Sequence, residues 1–372
     1  MLFRHSSVFA RVLLVTPALA QPIEDARLAY SQGNFALARE TALALSNDGD
    51  AAGQNLLGVL YENGLGVEPD TLRAIAYYEA AIAQGSDRAM TNLGGLYADG
   101  LGVAQDYALS RAYYGIAAEG GLARAMEYLA WLTEFGHGGP PDVPLALAWY
   151  ERAADAGDVA SLYALGDILF NGAEGVAVDI PRAMEFYERG HAAGNADSSY
   201  ALGWIHEGGH GVPADAERAL GYYRAAFAGG SPEATQVMGM LYQQGGLLPV
   251  DLVYARYLLE QAVGMEVQLA YHELGIMMLE GRGGPVDRPR AEALFRSGYQ
   301  SGDPEAALNL ARLLNNTEYQ GYDPVEAFSY CLWAMAEAGE AAPVDYRQAC
   351  AAVAETLSPA ERATAQTLAD RL

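Results

Sequence analysis

Few residues of this chain have the types and spacing to do chemistry. The first candidate is His206-Glu207-Gly208-Gly209-His210, which satisfies H-E-x-x-H. In that arrangement two imidazoles one helical turn apart hold zinc, and the carboxylate beside them activates the metal-bound water. The chemistry requires an unbroken helix, because only there do positions i and i+4 share a face. Gly208, Gly209 and Gly211 interrupt the segment, so the two rings are expected to diverge. No third ligand stands at a zinc-protease spacing. His206 is expected instead to fill a position that is aromatic elsewhere in the chain, and no metal site is assigned.

The second candidate is the cysteine pair, Cys331 and Cys350. In an exported protein two cysteines read as a disulfide, here joining two helices near the C-terminus. Closing a loop of about 20 residues would stabilise that end by roughly 3 kcal/mol. The alternative is that Cys331 is a small buried hydrophobe. No nucleophile elbow, phosphate-binding loop or calcium loop is found. Gly281-Arg282-Gly283-Gly284, the most phosphate-loop-like stretch, falls at a regular inter-helix turn. No catalytic residue and no cofactor are therefore expected.

The elements that would position these residues come from a repeat. Asp70, Asp106, Asp142, Asp179, Asp215, Asp251, Asp287 and Asp323 follow one another at 36 residues, with one interval of 37. Four residues after each stands a small residue, from Ala74 and Ser110 to Ala327. Upstream run a second small column, Gly53 to Ala306, and an apolar column four residues on, Leu57 to Leu310. Eight units in register point to one repeated hairpin of two helices. The first helix carries apolar residues at helical spacing, such as Ala89, Leu93 and Leu96, and stops at a glycine loop such as Gly100-Leu101-Gly102. The aspartate is expected to cap the second helix, where its carboxylate meets unpaired amides and the positive end of the dipole. Aromatic pairs such as Tyr77-Tyr78, Tyr113-Tyr114 and Tyr222-Tyr223 recur in the second helix and are expected to be packing knobs between hairpins.

The unit reads A-x-x-x-L-G-x-x-Y-x-x-G-x-G-V-x-x-D-x-x-x-A-x-x-Y-Y-x-x-A-A. It resembles the Sel1-like repeat, a relative of the tetratricopeptide repeat, from about Asp48 to Gly339. The pattern departs locally: Ala130 and Ala311 replace the glycine after the leucine, Thr133 and His206 replace the tyrosine, and Asn315-Asn316 replace the last glycine loop. The resemblance implies an all-α, right-handed α-solenoid of eight repeats over 48–339. It also implies a concave groove, lined mainly by first helices, that holds partner proteins. Residues 21–47 are expected to form an N-terminal capping hairpin. Residues 340–372 are expected to form C-terminal capping helices, the last of them started by the capping box Ser358-Pro359-Ala360-Glu361 and running through Leu372. Groove residues should vary between units at one exposed phase of the first helix. The position two after the small column does so: Asn55, Thr91, Glu127, Tyr163, Tyr200, Gln236, His272 and Leu308. That mixture suits an extended peptide.

Composition sets the partner class. Of 372 residues, 51% are hydrophobic and 19% charged, enough to bury a large core. Asp and Glu total 47 against 22 Arg, with no lysine, for a formal net charge of -25. Such a surface repels nucleic acid and anionic lipid and favours a partner with a basic segment. Met1–Ala20 has the basic, apolar and Ala-x-Ala layout of a secretory signal peptide cleaved after Ala20, which leaves 20 cations and a charge of -27. The chain is therefore expected in the periplasm or secreted, without membrane insertion after cleavage. The resemblance further implies a periplasmic regulator that restrains an envelope sensor kinase. The competing expectation is a cell-wall or β-lactam hydrolase, as among cysteine-rich relatives whose per-repeat disulfides this chain lacks.

Overall fold

The structure, a computed structural model, describes residues 22–339 and 342–371. The expected signal segment Met1–Ala20 lies outside the described residues, which contain 20 helices and no strand beyond an isolated bridge between Ala173 and Val176. The all-α class of paired helical repeats expected from the periodicity is the class found.

The chain divides into two units, Met1–Val178 and Asp179–Leu372. In the first, α1 (Pro22–Ser31) and α2 (Phe35–Asn47) form a hairpin that packs on α3 (Ala51–Glu62). Then α3 pairs with α4 (Thr71–Ile82), α5 (Asp87–Asp99) with α6 (Tyr107–Glu119), and α7 (Ala123–Glu134) with α8 (Val143–Asp155). Helix α9 (Ala160–Asn171) follows and packs on α8. The second unit starts with α10 (Ile180–Ala192), which packs on α11 (Ala196–Gly208). There α11 pairs with α12 (Ala216–Ala228), α13 (Pro232–Gln244) with α14 (Leu252–Gly264), and α15 (Gln268–Glu280) with α16 (Arg288–Gln300). The last pair is α17 (Pro304–Leu314) with α18 (Pro324–Ala338), against which α19 (Val344–Glu355) and α20 (Pro359–Ala369) pack.

The second repeat shows why each segment folds as it does. Ser86 starts α5 by accepting the Ala89 N–H at 3.3 Å. Ala89, Leu93 and Leu96 then fall on one face and are buried, each leucine contributing about 2 kcal/mol of transfer free energy. Gly100, at φ 70°, ends the helix in the left-handed region where a side chain would be strained. Asp106 does two jobs. Its N–H donates to the Tyr97 carbonyl at 2.8 Å, tying the loop to α5, and its carboxylate accepts the Leu109 N–H at 2.9 Å, capping α6. The same carboxylate cap recurs at every second helix, on Asp70, Asp142, Asp179, Asp215, Asp251, Asp287 and Asp323.

Helices within a hairpin approach closely because one face is small. A Cβ added to Gly203 would lie 2.6 Å from the Tyr223 ring, so glycine is what lets that ring seat against α11. Tyr78, Tyr114 and Tyr223 are buried in this way, as the knob reading of the aromatic pairs expected. At the C-terminal end, the Ser358–Glu361 capping box has both of its hydrogen bonds.

Candidate functional site

The varying first-helix column is not an exposed phase. Thr91, Gln236 and Leu308 are buried, and Asn55, Glu127, Tyr163, Tyr200 and His272 are half-buried. The reason is packing between first helices: α3 meets α5, α13 meets α15, and α15 meets α17, so the column looks along the row of helices rather than at water. Side chains on neighbouring turns bridge from one first helix to the next. The Asn92 amide donates to Asn55 Oδ1 at 3.1 Å, and Asn309 Nδ2 lies 3.2 Å from His272 Nδ1, whose other nitrogen is 3.3 Å from Glu305.

Three members of the column, Asn55, Thr91 and Glu127, meet at two adjoining cavities of the first unit. The larger, of about 390 Å³, lies between α3, α5, α6 and α7. Its walls include Glu62, Asp99, Tyr114, Glu127, Tyr128 and Trp131. The smaller, of about 260 Å³, is lined by Asn55, Arg88 and Leu122 and shares Thr91, Asn92 and Arg124 with the larger. A recess of this size with an aromatic wall and a few polar groups has the character of a binding site. Tyr163, Tyr200, Gln236 and His272 line neither cavity.

The larger cavity carries three carboxylates and one guanidinium. Arg124 is engaged: its Nε and Nη2 donate to the Tyr128 hydroxyl at 2.9 and 2.7 Å, and its guanidinium sits 5.2 Å from that ring's centroid. Glu62 accepts the Tyr78 hydroxyl. Glu127 has neither a hydrogen bond nor an ion pair within 4 Å, and burial, helped by the negative charge of Asp158, pushes it up to about 7. Trp131 is 39% exposed and leans against Phe135 and His137, at ring separations of 5.6 and 4.8 Å.

Trp131 and Tyr128 were not singled out in the sequence, and Tyr114 only as a packing knob, although a signal for the recess was present. In the repeats of α3, α7 and α11, the knob tyrosine donates to a glutamate sixteen residues earlier: Tyr78 to Glu62, Tyr150 to Glu134 at 3.0 Å, and Tyr223 to Glu207 at 2.7 Å. In the repeat between α3 and α7 that position is Ala98. The Tyr114 hydroxyl has no carboxylate acceptor, and the absent side chain leaves room beside it.

The H-E-x-x-H residues go three ways. His206 is buried in α11 and stacks on Tyr222 at 5.5 Å and 15°. That is the relation of Tyr61 to Tyr77 and of Tyr97 to Tyr113, so the imidazole takes the aromatic place. Glu207 accepts from Tyr223, while His210, beyond the left-handed Gly209, stacks on Trp204 at 3.9 Å. Among the described residues no three His, Cys, Asp or Glu side chains are grouped to hold a metal ion.

The structure holds Cys331 and Cys350 as free, buried thiols and not as the expected disulfide. The hydrogen bond that the Cys331 thiol donates to Cys350, together with burial, pushes Cys331 above the ordinary thiol range. Both side chains sit in the apolar cluster shared by α17, α18 and α19, which joins these helices without a covalent bond. No helix among the described residues is long and apolar enough to cross a membrane.

No curated protein matches the chain. Solved structures that share its fold include two with good overlap. A protective antigen of uropathogenic Escherichia coli with an SLR fold aligns at TM-score 0.73 and 23% identity, covering 94% of this chain and 75% of its own. A Sel1 repeat protein from Oxalobacter formigenes aligns at TM-score 0.60 and 26% identity, covering 84% of this chain and 97% of its own. The Sel1 repeat itself matches seven consecutive segments, 51–86, 87–122, 123–158, 159–195, 196–231, 232–263 and 268–303. The hairpin of α17 and α18 lies beyond the last of these. With repeat, aspartate cap and glycine-seated ring all in place, the chain belongs to the Sel1 repeat family.

Proposed function

We propose that this protein is an exported, non-catalytic scaffold that holds a partner protein or peptide bearing a basic segment along its first helices. Sel1 repeats generally serve as protein-interaction scaffolds, and this chain adds a strong acidic bias to that frame. The observation that carries the reading is the pair of adjoining cavities at α3, α5 and α7, where the variable column of the first helices meets an aromatic wall and uncompensated carboxylates. A formal charge of -25 supports long-range attraction of a cationic segment. The signal-peptide layout of Met1–Ala20 supports export, and with it a place as a periplasmic regulator of envelope signalling.

The test is a crosslinking capture with the tagged mature chain from the exported fraction of its native cell, at low and high salt. One envelope protein is expected, retained at low salt and weakened by screening, since the Debye length falls from about 10 Å at 0.1 M to about 3 Å at 1 M. Capture that is insensitive to salt would refute the electrostatic part, and an empty capture would refute the scaffold reading. Recovery of the chain only from the cytoplasm would refute export.

A further inference from the structure

We infer that the larger cavity of the first unit is a side-chain pocket for an arginine of the bound peptide, with the guanidinium stacked on Trp131 and paired with Glu127. The inference deepens the scaffold reading and rests on it.

Three observations converge. The first is a void with a cause. Ala98 stands where Glu62, Glu134 and Glu207 serve the neighbouring knob tyrosines, and Gly95 stands one repeat before Trp131 in the same column. A small residue twice over in one repeat, faced by an indole in the next, makes a recess of about 390 Å³ instead of close packing. The second is a knob hydroxyl without the carboxylate that accepts it in other repeats. Tyr114 is only 4% exposed, lines the recess, has Ser110 as its neighbour, and has no carboxylate where its counterparts have one. The third is charge. Glu127 has no cation within ion-pair distance, Asp99 and Glu62 add to it, and Arg124, the one guanidinium on the wall, is occupied by Tyr128.

The occupant that answers all three is a planar cation on an apolar stem. A guanidinium presents five donors in a plane, enough for Glu127 and the Tyr114 oxygen together. It stacks on an indole face, and it is less strongly hydrated than an ammonium, so it enters a half-buried site at lower cost. The adjoining smaller cavity says that the arginine belongs to a chain rather than to a free amino acid. Arg88, and the amide hydrogen of Asn92 that Asn55 does not take, bring side-chain donors there that suit main-chain carbonyls of an extended segment.

The experiment uses the mature full chain labelled with 5-fluorotryptophan, whose resonance for Trp131 is assigned by Trp131→Phe. The probe is acetyl-Ala-Ala-Arg-Ala-Ala-amide, compared with the same peptide carrying citrulline, with the lysine peptide and with free L-arginine. The arginine peptide is expected to shift the Trp131 resonance saturably. Citrulline, which keeps the shape and loses the charge, should bind at least about tenfold more weakly, and free arginine more weakly than the peptide. Glu127→Gln should cost about tenfold or more, while the distant Glu40→Gln changes nothing. Ala98→Gln restores an acceptor for Tyr114 and fills the recess without adding charge, so it should abolish the shift in a folded protein. Equal binding of the citrulline peptide, an unaltered response in Ala98→Gln, or no shift of Trp131 by the arginine peptide overturns the pocket. The two readings fail differently: a partner captured equally by wild type and Ala98→Gln leaves the scaffold standing and removes the pocket. A wild type that captures nothing removes the scaffold, while the fluorine signal still decides the pocket.

Discussion

Deleting one hydroxyl should cost stability in one repeat and almost none in its neighbour. Tyr150 and Tyr114 are equivalent knobs, 3% and 4% exposed, one on α8 and one on α6. Tyr150 donates to Glu134 at 3.0 Å, whereas Tyr114 has Ala98 in the corresponding place. Phenylalanine keeps the ring and its packing in both. A hydrogen bond to a charged acceptor contributes about 1.5–3 kcal/mol net. Glu134 is half-buried and already held above the usual carboxylate range by burial, an effect that the Tyr150 hydrogen bond opposes. Tyr150→Phe should therefore cost about 2 kcal/mol, and Tyr114→Phe less than about 0.5. Repeat arrays unfold through neighbouring units, so the assay is native-state amide exchange read separately on the α7–α8 and α5–α6 hairpins. At 1.4 kcal/mol per factor of ten, the first substitution should lower protection about thirtyfold, and the second less than about threefold. Equal losses in the two hairpins would refute the claim that the second repeat gave up a buried polar pair.

Three further outcomes follow from particular residues. Burial, and after it the charge of Asp158, pushes Glu127 up to about 7 in the fold from the ordinary 4.5, with Arg124 opposing. The folded value lies above the unfolded one, so its carboxyl favours folding below about 4.5, and that stability is lost as pH rises to 7. Glu127→Gln should accordingly stabilise the protein at pH 8, by about 1 kcal/mol after discounting the full shift for partial exposure, and hardly at all at pH 4; denaturant midpoints showing a larger gain at pH 4 would contradict this. Asp106→Ala removes the acceptor of the Leu109 N–H and should cost about 1 kcal/mol, with Asp106→Asn recovering most of it, as measured by exchange in α6. Cys331 and Cys350, buried and apolar in setting, should resist a thiol-specific reagent in the native protein and titrate as two thiols once unfolded; a chain with no titratable thiol after denaturation without reductant would establish the disulfide instead.

The fold was legible because a repeat states each packing requirement many times. Asp106 as a cap could be read from its seven counterparts, and the rings of Tyr78 and Tyr223 as knobs from theirs. The same logic placed His206 correctly, since a histidine in an aromatic column meets an aromatic neighbour, Tyr222, whatever motif it completes with His210. The binding face was legible only in part. Variation marked Asn55, Thr91 and Glu127, which do line the cavities, but also Gln236 and Leu308, which are buried and line neither. Variation along one column cannot separate a surface that meets a ligand from one that meets the next helix, because spacing between hairpins is not written in the period. The expected disulfide rested on compartment and spacing, while the contact of the two thiols is set by apolar packing of α18 and α19.

What would have found the pocket is an absence compared across three columns at once. Loss of the glutamate at Ala98 could have been repaired by letting Tyr114 sink into the space. It was not, because the ring is already seated against Gly94, where an added Cβ would stand 3.0 Å from it. The glycine that seats the knob in this repeat, as Gly58 and Gly203 do in theirs, thus prevents collapse, and the hydroxyl is left facing a recess with polar walls. A recess lined by carboxylates and hydroxyls is unlike the dry void left by trimming an apolar core, since it is filled by water until something with matching donors displaces it. The regular repeats provide the rigidity, and the repeat that breaks the rule provides the place to bind.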